Sequence, residues 1–121
     1  MIPILNEIGT VFVPVSNIEA AREWYCRLLG LQFPEILFGH LCVIPMRDFS
    51  GLVLDSKDFA GPHIGKPAFH LNSRDIPAAH AYMEEFGVPG LGPITDGVFF
   101  NFNDLDGNLL MIANVPPPAR S

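Results

Sequence analysis

The chain has few cysteines, few basic residues and no long apolar run, and each scarcity excludes a class of protein. Two cysteines, Cys26 and Cys42, are too few to form a disulfide framework in 121 residues. Lysine and arginine number 7 against 13 acidic residues, and the net charge of −6 disfavours nucleic acid and anionic membranes as partners. No apolar stretch approaches the roughly 18 residues of a membrane-spanning helix. The sequence therefore predicts neither nucleic acid nor membrane as a partner.

Recognisable catalytic and targeting motifs are also missing. The sequence has no Gly-rich phosphate loop, no Cys-x-x-Cys pair and no Gly-x-Ser-x-Gly elbow. Residues 1–7 lack the basic and apolar regions of a signal peptide. Cys26 falls on a predicted helix and Cys42 on a predicted strand, which favours two buried free thiols. We therefore expect a cytoplasmic protein.

What the sequence does contain is a repeat of about half its length. Residues 17–25, followed by Gly30, return as residues 75–83, followed by Gly87. The offset is 58 residues at the helix start and 57 at the closing glycine. A fixed period of this size predicts two copies of one supersecondary unit, neither long enough to bury a core alone. A cleft is expected where such units meet, and the function is expected there.

Each copy shows the pattern strand–helix–strand–strand–strand. In the first copy, Ser16 and Glu19 form a predicted capping box, and Gly30 closes the helix. In the second copy, the run from Asp104 to Asn108 is interpreted as a turn and not as a calcium loop. The predicted strands cover residues 8–15, 33–38, 40–45, 52–55, 67–72, 94–95, 98–103 and 109–115, with a turn at 48–51.

The repeated strand–helix–strand–strand–strand pattern resembles that of the vicinal-oxygen-chelate superfamily, which includes glyoxalase I, bleomycin resistance proteins and extradiol dioxygenases. The resemblance is carried by residues 13–25, 28–31, 75–79 and 103–110. It implies an α+β fold in which two tandem βαβββ modules form a curved mixed β-sheet around a cleft. The expected organisation is a single domain over 1–121, with module 1 at about 8–55, a linker at 56–66, module 2 at about 67–115 and a mobile tail at 116–121.

The resemblance also implies where a metal would be bound. Enzymes of the family bind a divalent metal through side chains on the first and last strands of each copy. These positions fall on Thr10, Val53, Lys66 and Met111. Divalent ions require several hard oxygen or imidazole donors, which these four side chains do not supply. We therefore expect no standard metal centre and no cofactor.

A small-molecule cleft is the expected site. Strand alternation predicts that it is lined by Thr10, Phe12, Lys66, Ala68, His70 and Met111, and the resemblance adds Val53. His70 is the polar candidate, and Lys66 is a candidate for binding a ligand carboxylate. The alternative is that this face is filled core. His40, His63 and His80 offer a further alternative, an unconventional metal site, although His80 is predicted on the polar side of its helix.

Three hypotheses for function follow. The first is a metal-free protein of the glyoxalase and bleomycin-resistance type that binds a small cationic or aromatic molecule in an apolar cleft. The second is a metal-dependent glyoxalase-, dioxygenase- or thiol-transferase-like enzyme with relocated ligands. The third is a non-catalytic interaction module. We expect a homodimer and assign no catalytic residue.

Overall fold

The computed structural model describes residues 1–47 and 51–115. Most of the predicted turn at 48–51 and the whole predicted tail at 116–121 lie outside the described residues. The chain divides into two compact units, Met1–Gly61 and the part that begins at Pro62. Their boundary falls within the predicted linker.

Unit 1 contains one helix and one mixed four-stranded sheet. Its elements are β1 (Thr10–Pro14), α1 (Ile18–Leu29), β2 (Ile36–Leu37), β3 (Leu41–Ile44) and β4 (Gly51–Asp55). The strand order is β1-β4-β3-β2. The β1–β4 pair is parallel, and the other pairs are antiparallel.

Unit 2 repeats this plan with a shorter sheet. Its elements are β5 (His70–Asn72), α2 (Ile76–Phe86), β6 (Phe99–Asn103) and β7 (Leu109–Ala113), in the sheet order β5-β7-β6. The strand predicted at 94–95 is present only as a bridge between Thr95 and Phe99. The α+β class and the two-module plan are confirmed, with the strands divided between two hydrogen-bonded sheets.

The 58-residue offset holds through both units. The helix N-caps are Asn17 and Asp75, and each side chain accepts a hydrogen bond from the backbone three residues later, at 3.0 Å. The predicted cap at Ser16 is therefore wrong by one residue. The last strands begin at Gly51 and Leu109, also 58 residues apart. The offset falls to 57 at the closing glycines because α2 has 11 residues and α1 has 12.

The closing glycines are required by backbone geometry. Gly30 and Gly87 have φ of 69° and 84°, and each donates its N–H to a carbonyl of the preceding helical turn. Residues with a Cβ rarely adopt this left-handed conformation. The glycine that ends each repeat in the sequence is thus the residue that ends each helix.

Each unit buries one face of its sheet under its own helix. In unit 1, buried and less buried residues alternate along β3, β4 is buried from Gly51 to Leu54, and α1 packs on β3 and β4. In unit 2, α2 packs on β7, and the His80 ring meets the Phe100 ring edge-on at 4.9 Å. Burial of each large apolar side chain contributes about 1.5–3 kcal/mol. The core sheet residues are Val13, Cys42, Ile44, Leu52 and Leu54 in unit 1, and Phe100, Phe102, Leu110 and Ile112 in unit 2.

A buried polar network closes the hairpin between β6 and β7. Asp104 and Asn108 are 1% and 0% exposed. Asp104 accepts hydrogen bonds from the backbone N–H groups of Asp106 and Asn108 and from the Asn108 side chain, at 2.8–3.0 Å. The Asn108 side-chain oxygen in turn accepts from the His63 backbone N–H at 2.6 Å. The run is therefore a turn, as predicted, and it ties the start of unit 2 to its last hairpin.

Both cysteines are buried free thiols, as predicted. Burial raises the pKa of the Cys26 and Cys42 thiols, which keeps them protonated at neutral pH. Neither helix of the described residues is long and apolar enough to cross a membrane.

Candidate functional site

The seven predicted site residues divide between the two units. Thr10, Phe12 and Val53 belong to unit 1, and the other four belong to unit 2. The residues of the second group are Lys66, Ala68, His70 and Met111.

In unit 1, the predicted residues lie on the sheet face opposite the helix-packed core. Phe12 pairs with Val53, and Val53 pairs with Val43, so the three side chains form one row across β1, β4 and β3. Thr10 lies two residues before Phe12 and shares its face. Val53 is buried in the centre of the sheet, whereas Phe12 is 64% exposed. This face therefore presents an apolar surface with an accessible aromatic ring.

In unit 2, the corresponding row is more polar. His70 pairs with Met111, and Met111 pairs with Asn101, across β5, β7 and β6. His70 and Met111 lie 58 residues after Phe12 and Val53, so the same strand pairing occurs in both copies. An imidazole and an amide in this row can donate or accept hydrogen bonds.

Asn101 is a residue of this face that the sequence analysis missed. Its side-chain oxygen is buried and accepts no hydrogen bond within the part of the chain that the structure describes. A buried acceptor without a donor costs about 1–3 kcal/mol. The signal was present in the sequence, because residues 99–103 read Phe-Phe-Asn-Phe-Asn. Their alternation assigns Asn101 and Asn103 to the face opposite Phe100 and Phe102.

The family's metal positions do not fit a metal ion in this chain. Thr10 lies seven residues before the N-cap Asn17, and the residue seven before Asp75 is Ala68. Lys66 is exposed and precedes β5 by four residues, so the offset assigns the position equivalent to Thr10 to Ala68. Whether Lys66 or Ala68 is taken, the set contains one hydroxyl, one thioether and no carboxylate or imidazole, which does not suit a hard divalent ion.

The remaining histidines make separate contacts. His40 lies 3.0 Å from the Asp55 carboxylate, and His63 uses its backbone groups to bond Asn108 and Leu109. His80 lies 2.9 Å from the Gly92 carbonyl oxygen and packs on Phe100, so its predicted place on the polar side of α2 is wrong. Within residues 1–47 and 51–115, no group of three or more His, Cys, Asp or Glu side chains is placed to hold a metal ion.

The His40–Asp55 pair lies at the carboxyl end of β4 in unit 1. Asp55 also accepts a hydrogen bond from the Lys57 backbone N–H at 2.9 Å. That bond, with a smaller contribution from His40, lowers the pKa of the Asp55 carboxyl. Asp55 therefore carries a negative charge at neutral pH, on the same sheet face as Phe12.

The sequence profile of the Glyoxalase/Bleomycin resistance protein/Dioxygenase superfamily matches residues 7–112. The chain therefore belongs to this superfamily. A comparison with curated proteins found no match.

Solved structures with the same fold include proteins of different function. An antibiotic binding protein from a Streptomyces species is 24% identical, with a TM-score of 0.71 over 93% of this chain and 98% of that one. A glyoxalase/dioxygenase from Nostoc punctiforme is 18% identical, with a TM-score of 0.69 over 97% of both chains. A lactoylglutathione lyase from Agrobacterium tumefaciens is 16% identical, with a TM-score of 0.68 over 91% and 94%. At these identities the likeness shows the fold alone.

Proposed function

We propose that the chain binds a small organic molecule without a standard metal centre and catalyses no reaction of its own. The observation that carries this proposal is the residue set at the family's metal positions, Thr10, Val53, Ala68 and Met111, which supplies one hydroxyl and no carboxylate or imidazole. An antibiotic binding protein with the same fold is a precedent for this kind of function.

The sheet face of each unit, taken by itself, supports the binding of a small molecule. The unit 1 face offers Phe12 and Val53 as an apolar surface, and the unit 2 face offers His70 and Asn101 as hydrogen-bonding groups. Sites for small molecules are mostly apolar, with a few polar groups that fix orientation. We propose that Thr10, Lys66, Ala68 and Met111 complete the two binding surfaces.

A thermal-shift screen against a library of drug-like compounds tests this proposal. A ligand present at ten times its Kd stabilises a protein by about 1.4 kcal/mol, which for a chain of this size raises the Tm by roughly 4–8 °C. We expect at least one chemical class to give such a concentration-dependent shift. A screen without any saturable shift would favour the interaction-module hypothesis.

We further propose that the protein is a cytoplasmic homodimer. The support for the location is the pair of buried reduced thiols, Cys26 and Cys42. The support for the dimer is an exposed apolar segment before β1, in which Ile2, Ile4 and Leu5 are each at least 70% exposed.

Sedimentation velocity at micromolar concentration tests the dimer. We expect one species with about twice the 13.3 kDa mass of the chain. A monomer over the whole concentration range would contradict the proposal.

A further inference from the structure

A surface depression of about 320 Å³ lies beside Phe12 in unit 1. It forms at the carboxyl ends of the parallel strands β1 and β4, and the segment after β4 supplies its outer wall. Its volume lies at the lower end of the range for small-molecule sites. Its apolar lining includes Phe12, Pro14 and Phe59, and its charged lining is Asp55, Lys57 and Asp58.

The charges of this depression favour a cation. Its lining contains two carboxylates, those of Asp55 and Asp58, and one ammonium group, that of Lys57. The Asp55 carboxylate is held in place by the His40 ring and the Lys57 backbone N–H, both of which bond its Oδ1 atom. The chain as a whole carries a net charge of −6, which adds to the negative potential.

An accessible aromatic ring lies next to these charges. Phe12 pairs with Val53, and two residues further along, Pro14 pairs with Asp55, so Phe12 and Asp55 are diagonal neighbours on one sheet face. Phe12 is 64% exposed, which leaves its ring available to a ligand. An organic cation is attracted both by carboxylates and by the face of an aromatic ring.

We infer that this depression holds the positively charged end of a small aromatic amine, with Asp55 and Asp58 as counter-charges and Phe12 against its apolar body. The inference rests on the proposed small-molecule binding and names the class of ligand. It also gives Asp58 a role that the sequence did not suggest.

The test uses three probes that differ in charge and share one ring system: 2-naphthylmethylamine, 2-naphthalenemethanol and 2-naphthoate. Their affinities are measured by calorimetry for the parent protein and for Asp58→Asn. Asp96→Asn is the matched control, because Asp58 and Asp96 are both exposed aspartates with positive φ, at 54° and 52°, and only Asp58 lines the depression. Asparagine tolerates this backbone conformation as aspartate does, so both variants are expected to fold.

We expect the amine to bind more tightly than the alcohol, and the naphthoate to bind most weakly. Asp58→Asn should weaken amine binding about two- to fivefold, the upper part of the range for a solvent-exposed ion pair, and leave alcohol binding unchanged. Raising the salt concentration should weaken the binding of the amine and leave the binding of the alcohol unchanged, because salt screens interactions between charges. Asp96→Asn should bind all three probes with the affinity of the parent protein.

Two unfavourable outcomes are distinguishable. If library compounds bind but the amine has no advantage over the alcohol, or if Asp58→Asn binds the amine as the parent does, the inference is wrong and the proposed function stands. If neither the probes nor any library compound binds, both the inference and the proposed function are wrong.

Discussion

Replacement of Asp104 with alanine is expected to lower the free energy of unfolding by roughly 3–5 kcal/mol. The carboxylate is 1% exposed and accepts from the N–H groups of Asp106 and Asn108 and from the Asn108 amide. Each buried donor that loses its acceptor costs about 1–3 kcal/mol. Since Asn108 also holds the His63 backbone, loss of Asp104 should loosen the start of unit 2 as well.

Urea unfolding of Asp104→Ala, Asn108→Ala and the double variant measures this effect. We expect the double variant to be less destabilised than the sum of the single variants, because the two residues act in one network. Asp106→Ala is the control within the same turn, since its side chain is partly exposed, and it should cost well under half as much. Equal and small effects of Asp104→Ala and Asp106→Ala would show that the network contributes little.

Substitution of His70 with alanine is expected to weaken ligand binding by about 0.5–1.5 kcal/mol, or by roughly 1.5–3 kcal/mol if the ligand group is charged. His70 is exposed and lies in register with Met111 in the row that also contains Asn101. His70→Asn keeps a hydrogen-bond donor and should lose less.

Calorimetry with a compound from the thermal-shift screen measures the His70 effect. His63→Ala is the matched control, because His63 is also exposed but lies outside β5 and uses its backbone groups for its hydrogen bonds. It should bind as the parent does. Equal affinity for the parent, His70→Ala and His70→Asn would show that His70 takes no part in binding.

Much of the fold was predictable because its signals are local. Turn and cap residues determine where helices begin and end. The repeated cap and glycine positions therefore predicted the bounds of both helices to within a residue or two. The error at the first N-cap arose because Ser16 and Asn17 are both good capping residues. Comparison of the two copies resolves the choice, since Asp75 matches Asn17 and not Ser16.

Two residues of the second copy were misplaced or missed although their spacing was informative. Ile76, His80 and Met83 follow the i, i+4, i+7 spacing of one helix face, which puts His80 with the buried residues. Asn101 was missed because the run of phenylalanines around it was interpreted as a strand without assigning its two faces. In both cases the periodicity of the sequence, helical for His80 and alternating for Asn101, indicates which face the residue lies on.

The pairing of residues across strands was not predictable from local signals. The contact between His40, in the turn before β3, and Asp55, at the end of β4, joins two residues that are 15 positions apart in sequence. The depression depends on how the segment after β4 turns back towards Phe12, and its two aspartates, Asp55 and Asp58, follow no motif. Such features depend on tertiary structure, so the sequence alone predicted an apolar cleft but not the acidic depression beside Phe12.

The measurement that tests metal-free binding most directly is the ligand-induced Tm shift before and after treatment with EDTA, combined with elemental analysis of the untagged protein. Since the residues at the family's metal positions include no carboxylate or imidazole, we expect the same shift in both states and well under one equivalent of nickel, zinc, iron or manganese. A shift that disappears with EDTA and returns on addition of one of these metals, together with stoichiometric metal in the purified protein, would contradict the account and support the metal-dependent enzyme.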